Sequence, residues 1–167
     1  MASLTGKVAI VTGASRGIGK GIATALGAEG ATVYVTGRTV NAGKHSLPGT
    51  VGETAADVTK RGGKGVAAQV DHGDHAQIAD LFDQVKREQG RLDILVNNAF
   101  TLSDDLLEPK GFWQKPLSNL EMWTVGVESN FVAAWHAAQI MVPQMSGLIA
   151  AISGYVGVTY TYGVIFG

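Results

Sequence analysis

The sequence contains no cysteine. That excludes a disulfide framework and any thiolate metal or redox centre within these residues, and it suits a reducing compartment, so a cytoplasmic location is expected. Charge of one sign is also lacking: 13 Lys and Arg stand against 14 Asp and Glu, a formal net charge of −1. No broad attraction to nucleic acid or to an anionic membrane follows from such a balance, and neither partner is expected. No apolar run approaches the roughly 18 residues of a membrane span. No secretory leader is expected either, because a strand-like run already begins at Lys7. Histidine is sparse: His72 and His75 are three apart at the mouth of a helix, while His45 and His136 are isolated, so no metal site is expected.

What is abundant is glycine, 23 of 167 residues, twice the usual share of about 7%. Hydrophobic residues make up 46% and charged residues 16%, the balance of an α/β globule. Lys7–Thr12 is a short β-branched run typical of a buried strand. After a glycine turn at 13–19, Ile18, Ile22, Ala25 and Leu26 recur at helical spacing until Gly30. Ala31–Thr36 predicts a second strand and Gly65–Val70 a third. Between them Thr50 and Glu53 form a capping-box pattern opening a helix to Lys60. Asp74 and Gln77 start the next helix, whose apolar face is Ile78, Leu81, Phe82 and Val85 and whose stop is Gly90. Leu92–Val96 predicts strand four. A long loop over 100–117 follows, then a second capping-box pattern at Ser118–Glu121 and one long helix to Val142. Gly147–Ile152 predicts strand five.

Strands alternating with amphipathic helices imply right-handed βαβ units and one doubly wound parallel α/β sheet of order 3-2-1-4-5, in a single domain over 1–167. Segments 38–48 and 100–117 are excursions from it, and the second is placed to act as a substrate lid. Asp104, Asp105 and Glu108 in that loop are expected to be solvated, and Trp113, Trp123 and Trp135 to be packing residues.

The glycine turn, Gly13-Ala14-Ser15-Arg16-Gly17-Ile18-Gly19, joins a strand to a helix. Residues without bulky side chains let the backbone approach a pyrophosphate, and the helix N-terminus offers free N–H groups and partial positive charge. The spacing G-x3-G-x-G is wider than the ordinary dinucleotide fingerprint.

Thr12-Gly13-Ala14-Ser15-Arg16-Gly17-Ile18-Gly19 resembles the TGxxxGIG signature of the short-chain dehydrogenase/reductase family. Asn97-Asn98-Ala99 resembles that family's NNAG, with Phe100 in place of the final glycine, and Asp71 matches its adenine-contacting acid. Phe112-Trp113 with Pro116 is similar, more narrowly, to the subgroup around dehydrogenase/reductase member one. The resemblance implies a Rossmann fold whose domain continues past Gly167, leaving one flank of five strands uncovered. It also implies an oxidoreductase that reduces a small-molecule carbonyl or oxidises an alcohol by hydride transfer with a nicotinamide cofactor, working as a homo-oligomer. The cofactor-binding positions are then Gly13, Ser15, Arg16, Gly17, Ile18, Gly19, Arg38, Asp71, Asn97, Asn98 and Ala99.

An acid at the end of strand two would hold the ribose 2′-OH of NAD. Here that end reads Thr36-Gly37-Arg38. Arg38 and Arg16 instead suit a 2′-phosphate, so NADP(H) is the expected cofactor, with NAD(H) the second choice. The family's chemistry uses Asn, Ser, Tyr and Lys, the lysine lowering the tyrosine pKa toward working pH. Asn130 in the long helix matches the Asn. Ser153 lies in Ile152-Ser153-Gly154 where the family reads I-S-S, its active serine being the second. Tyr162 is the candidate tyrosine, nine residues after Ser153 where the family has about a dozen, and if it is the acid–base, Phe166 occupies the lysine position. In the other alignment Phe166 occupies the tyrosine position and the lysine falls past Gly167. The rival reading is a dinucleotide-binding protein or fragment without the acid–base pair.

Overall fold

The computed structural model describes residues 3–43, 47–106 and 108–154. One parallel sheet of five strands, ordered β3-β2-β1-β4-β5, carries the architecture. Its strands are β1 (Val8–Val11), β2 (Thr32–Gly37), β3 (Lys64–Gln69), β4 (Ile94–Asn97) and β5 (Leu148–Ala151). Helices α1 (Gly17–Ala28), α2 (Val51–Lys60) and α3 (His75–Gln89) connect the first four. Between β4 and β5 the chain forms α4 (Leu120–Trp123), a π-helical turn (Thr124–Glu128) and α5 (Ser129–Met141).

β1 reads Val-Ala-Ile-Val without alternation because both of its faces are covered. Val8 and Ile10 join Tyr34 and Leu95 in a core with α3 and α5, built on Ile78, Phe82, Val85, Ala133 and Ala137. Ala9 and Val11 join Val33, Val35 and Val96 on the opposite face, against Ala23 of α1 and Val58 of α2. Small residues dominate the second core, which lets α1 and α2 lie close to the sheet.

Three of the expected helix boundaries form as the residues require. The Thr50 hydroxyl accepts from the Glu53 N–H at 3.0 Å, and the Glu53 carboxylate accepts from the Thr50 N–H at 3.0 Å. The Asp74 carboxylate accepts from the Ala76 N–H at 2.9 Å, opening α3, and Gly90 closes it at φ 68°. Caps of this kind contribute about 1 kcal/mol each. The capping box expected at Ser118–Glu121 does not form. Ser118 instead lies inside a 3-10 turn, Leu117–Asn119, and Asn119 enters α4 with helical backbone angles and no side-chain cap. The single long helix expected after it is interrupted by the π turn.

At the edge of the sheet opposite the glycine turn, Asp93 is a structural knot. Its carboxylate accepts from the Val8 N–H, Lys7 Nζ and both Nε and Nη2 of Arg91, while its carbonyl accepts from the Leu148 N–H. Burial raises its pKa, but those hydrogen bonds outweigh it and hold the carboxyl down at about 2. One residue thereby ties β1, β4 and β5 together at their N-terminal ends. β5 is an edge strand with Leu148 and Ile149 exposed. Among the described residues no helix is long and apolar enough to cross a membrane.

Candidate dinucleotide-binding site

The C-terminal ends of β1, β2 and β4 meet at the glycine turn, and the end of β3 lies beside that of β2. α1 begins there with Arg16 in extended conformation, and the Arg16 side chain makes no capping hydrogen bond. The N–H groups that lead α1 face the space in front of the turn, the arrangement that suits a phosphate.

Each glycine of the turn has its own reason. A Cβ at Gly13 would lie 2.7 Å from Ala99 Cα. One at Gly19 would overlap Asn98 Nδ2 and lie 2.7 Å from the Gly13 carbonyl oxygen. A Cβ at Gly17 would meet nothing within 4 Å among the described residues, but its φ of +57° is a left-handed conformation that a side chain disfavours.

Thr12 and Asn98 brace the turn from below. The buried Thr12 hydroxyl oxygen accepts from the N–H groups of Asn98 at 2.8 Å and Ala99 at 2.9 Å. The Asn98 amide donates to the carbonyls of Thr12 at 2.8 Å and Gly13 at 3.1 Å. β4's end therefore fixes β1's turn through four hydrogen bonds. Asn98, expected as a binding residue, has its side chain turned inward as a support. Thr12 was visible only as the first letter of the signature, and its role emerges from these contacts. Ser15 is buried, and its carbonyl accepts from Thr54 Oγ1 at 3.3 Å, which joins the turn to α2. Ile18 stands 65% exposed on the first turn of α1, an apolar side chain left open beside the turn.

The two arginines part company. Arg16 points along the 38–48 excursion, donating to the carbonyls of Leu47 at 2.9 Å and Gly49 at 3.0 Å and to Thr39 Oγ1 at 2.9 Å. It ties down the segment leading into α2. Arg38 is exposed at the end of β2, where Nη1 pairs with Glu121 of α4 at 3.2 Å and Nη2 reaches Thr101 Oγ1 at 3.5 Å. Glu121 carried no functional signal in the sequence; only the fold brings it to Arg38.

Asp71 follows β3 and is half-buried; its carboxylate accepts from the Gly73 N–H at 2.9 Å. Next to it His72 is buried, with Nε2 at 2.8 Å from Thr36 Oγ1 at the end of β2. Burial depresses the imidazole pKa to about 4, which the Asp71 carboxylate only partly offsets and the Arg38 charge reinforces. A histidine read from the sequence as a failed metal ligand is a neutral spacer between β2 and β3.

Asn97 and Asn130 come together. Asn97 Nδ2 donates to the Asn130 carbonyl at 2.9 Å, and Asn130 Nδ2 reaches back one turn to the Gly126 carbonyl at 2.7 Å. The Oδ1 atoms of both residues are buried and have no hydrogen-bond partner among the described residues. Two unpaired buried acceptors at one strand end mark a place for a polar ligand or water. The π turn lies just before Asn130. Ser129 supports it by donating to the Val125 carbonyl at 2.5 Å, and the Phe100 ring packs over Gly126, where a Cβ would lie 2.7 Å from it. The departure from NNAG at Phe100 is thus matched by a glycine on the facing helix.

Ser153 is exposed two residues beyond Ala151, which pairs with Asn97, so it follows β5 at the same sheet edge. Tyr162 and Phe166 lie outside the described residues.

The 100–117 loop has an internal frame. Lys115 Nζ donates to the carbonyls of Asp105 at 3.0 Å and Leu106 at 2.9 Å. The Asp105 carboxylate accepts from Ser103 and from Asn119, which hold its pKa below the usual range. Asp105 is thus a hub of the loop rather than a solvated charge. The three tryptophans expected to pack are instead exposed, Trp113 at 75%, Trp135 at 56% and Trp123 at 47%.

The comparisons with known proteins agree with this geometry. Residues 7–165 match the family model described as short chain dehydrogenase. The mouse protein named Dehydrogenase/reductase SDR family member 1 is 38% identical, covering 100% of this chain and 52% of that protein. A metagenomic short-chain oxidoreductase solved in complex with NADP is 30% identical, with a TM-score of 0.83 over 97% of this chain and 68% of that one. A 7α-hydroxysteroid dehydrogenase solved with NADH and 7-oxo glycochenodeoxycholic acid is 28% identical, with a TM-score of 0.81 over 99% of this chain and 60% of that one. The chain spans about half the length of the curated relative it matches end to end. With its signature turn built on β1, its NNA segment bracing that turn from β4, and a family match over nearly its whole length, the chain belongs to the short-chain dehydrogenase family.

Proposed function

We propose that this chain forms the dinucleotide-binding part of an oxidoreductase that interconverts a small-molecule carbonyl and its alcohol, with NADP(H) as cofactor. The observation that carries the cofactor choice is the end of β2. Thr36 and Gly37 leave no carboxylate there to receive a ribose 2′-OH, and Arg38 stands exposed at the position where a 2′-phosphate would arrive. Related structures hold NADP in one case and NADH in another, so the preference rests on Arg38.

In this reading the turn from Gly13 to Gly19 holds the pyrophosphate, Ser15 and Ile18 line it, and Arg16 keeps the neighbouring excursion in place. Asp71 faces the adenine, while Asn97 and Ala99 border the cofactor and Asn98 holds the turn. When bound, the cofactor supplies or accepts the hydride. Asn130 orders water through its buried Oδ1, Ser153 holds the substrate oxygen, and the Tyr162 phenol gives or takes the proton. The 100–117 loop covers the substrate side. The working protein is a homo-oligomer of the cytoplasm.

The test is direct binding of NADPH and NADH to the wild type and to Arg38→Met. Loss of charge-assisted hydrogen bonds is expected to weaken NADPH by about 10- to 100-fold, with NADH unaffected. Equal affinities in the wild type, unchanged by the substitution, would overturn the cofactor assignment. One sequence feature favours a second reading: if Tyr162 is the acid–base, Phe166 stands at the paired lysine position and supplies no cation to lower the phenol pKa. Tight NADPH binding with no turnover of any carbonyl or alcohol would select a cofactor-binding protein without catalysis.

A further inference from the structure

We propose that Glu121 moderates the cofactor preference by competing with the 2′-phosphate for Arg38. The inference rests on the NADP(H) reading above. A guanidinium binds phosphate best through two parallel N–H groups. Both terminal nitrogens of Arg38 are already engaged, Nη1 with the Glu121 carboxylate at 3.2 Å and Nη2 with Thr101 Oγ1 at 3.5 Å. These partners come from separate segments: Arg38 leaves β2, Thr101 follows β4 by four residues, and Glu121 lies in the first turn of α4.

An arriving 2′-phosphate meets two obstacles at once. It must take the Arg38 fork from Glu121, and it must then sit beside a carboxylate of like charge. A cofactor with a plain 2′-OH meets neither, because it needs nothing from Arg38. Glu121 therefore weakens NADP(H) selectively and narrows the gap between the two cofactors. The pair is half-exposed on both sides, with side chains 52% and 54% accessible, so the Glu121 carboxylate has room to swing away without disturbing the core. The other titratable groups near Arg38 do not substitute for it. The Asp71 carboxylate is held by the Gly73 N–H, and His72 is buried against Thr36.

Glu121 is thus a specificity-determining residue that touches neither the pyrophosphate nor the reacting atoms. The test is a titration of purified Glu121→Gln with NADPH, NADH, 2′,5′-ADP and 5′-ADP, followed by ligand-induced fluorescence or calorimetry. Glu121→Gln is expected to tighten NADPH and 2′,5′-ADP by about three- to tenfold at low salt, and to leave NADH and 5′-ADP unchanged. The gain shrinks as salt is raised. Unchanged or weaker NADPH binding, or equal tightening of all four ligands, overturns the proposal. Arg38→Met separates the two levels. If it abolishes the NADPH preference while Glu121→Gln does nothing, the competition fails and the cofactor assignment stands. If Arg38→Met itself has no effect, the cofactor assignment fails.

Discussion

Alanine at Gly19, Gly21 and Gly17 is expected to give three different results within two turns of one helix. Gly21 is exposed in the body of α1, and a Cβ there meets nothing within 4 Å among the described residues. Gly21→Ala removes backbone freedom from the unfolded chain and is expected to stabilise by about 0.5–1 kcal/mol. Gly19 shares that propensity gain, but its Cβ overlaps the Asn98 amide and approaches Ala14 Cα to 3.0 Å. Crowding of this kind costs about 1–3 kcal/mol. Moving the Asn98 amide also gives up its bonds to the Thr12 and Gly13 carbonyls, about 1 kcal/mol each. Gly19→Ala is therefore expected to destabilise by about 2–4.5 kcal/mol net and to weaken NADPH by about tenfold or more, since the turn itself moves. Gly17→Ala has space but the wrong dihedral, and is expected to cost about 1 kcal/mol. Urea unfolding followed by circular dichroism, with NADPH titration of each variant, reads all of these. If Gly19→Ala were as stable as Gly21→Ala and bound NADPH as the wild type does, the Asn98 brace would have no energetic meaning.

Thr12→Val leaves the N–H groups of Asn98 and Ala99 buried without an acceptor and is expected to cost about 2–4 kcal/mol, whereas Thr12→Ser, which keeps the oxygen, stays within about 1 kcal/mol of wild type by the same unfolding assay. His72 is expected to make the fold acid-sensitive. Its folded pKa of about 4 lies below the usual 6.5, so the unfolded chain binds the proton first. Stability is full above pH 6.5 and falls as pH drops toward 4, by about 3 kcal/mol in total. Unfolding free energies of wild type and His72→Asn, measured from pH 7 to pH 4, should converge in acid; parallel curves would show that His72 does not titrate between the folded and unfolded states.

The sheet order was legible because each strand is short, apolar and bounded by glycine or a cap, and because five such runs separated by helices leave few parallel arrangements. The Thr50 and Asp74 caps were legible for the same local reason. The pattern at Ser118–Glu121 failed since a 3-10 turn, set by Pro116 and the loop frame around Asp105 and Lys115, absorbs Ser118 before the helix begins. Local spacing has no access to that frame. Of the site, the glycine turn was legible residue by residue. The partition of labour between Arg16 and Arg38 was not, because it depends on where residues 47, 49, 101 and 121 arrive in space. The same holds for Asn98, where the signature names the residue and only the contacts show that its amide faces inward. The Asp93 knot was hidden within an ordinary strand pattern, since Lys7 and Val8 reach its carboxylate only once β1 and β4 pair in the fold.

The π turn before Asn130 has a consequence for insertions and deletions. An α-helix turns about 100° per residue, so removing one residue from a regular helix rotates everything before it relative to everything after it. A π turn already holds one residue more than the α pitch requires. Deleting a single residue within Thr124–Glu128 would let the chain close into an ordinary α turn while Met122 on one side and Ala133 and Ala137 on the other keep their buried faces. The segment is thus a built-in slack of one residue, a place where the gene can shorten without breaking the helix, and the cost of shortening falls on the carbonyls that Ser129 and Asn130 now occupy.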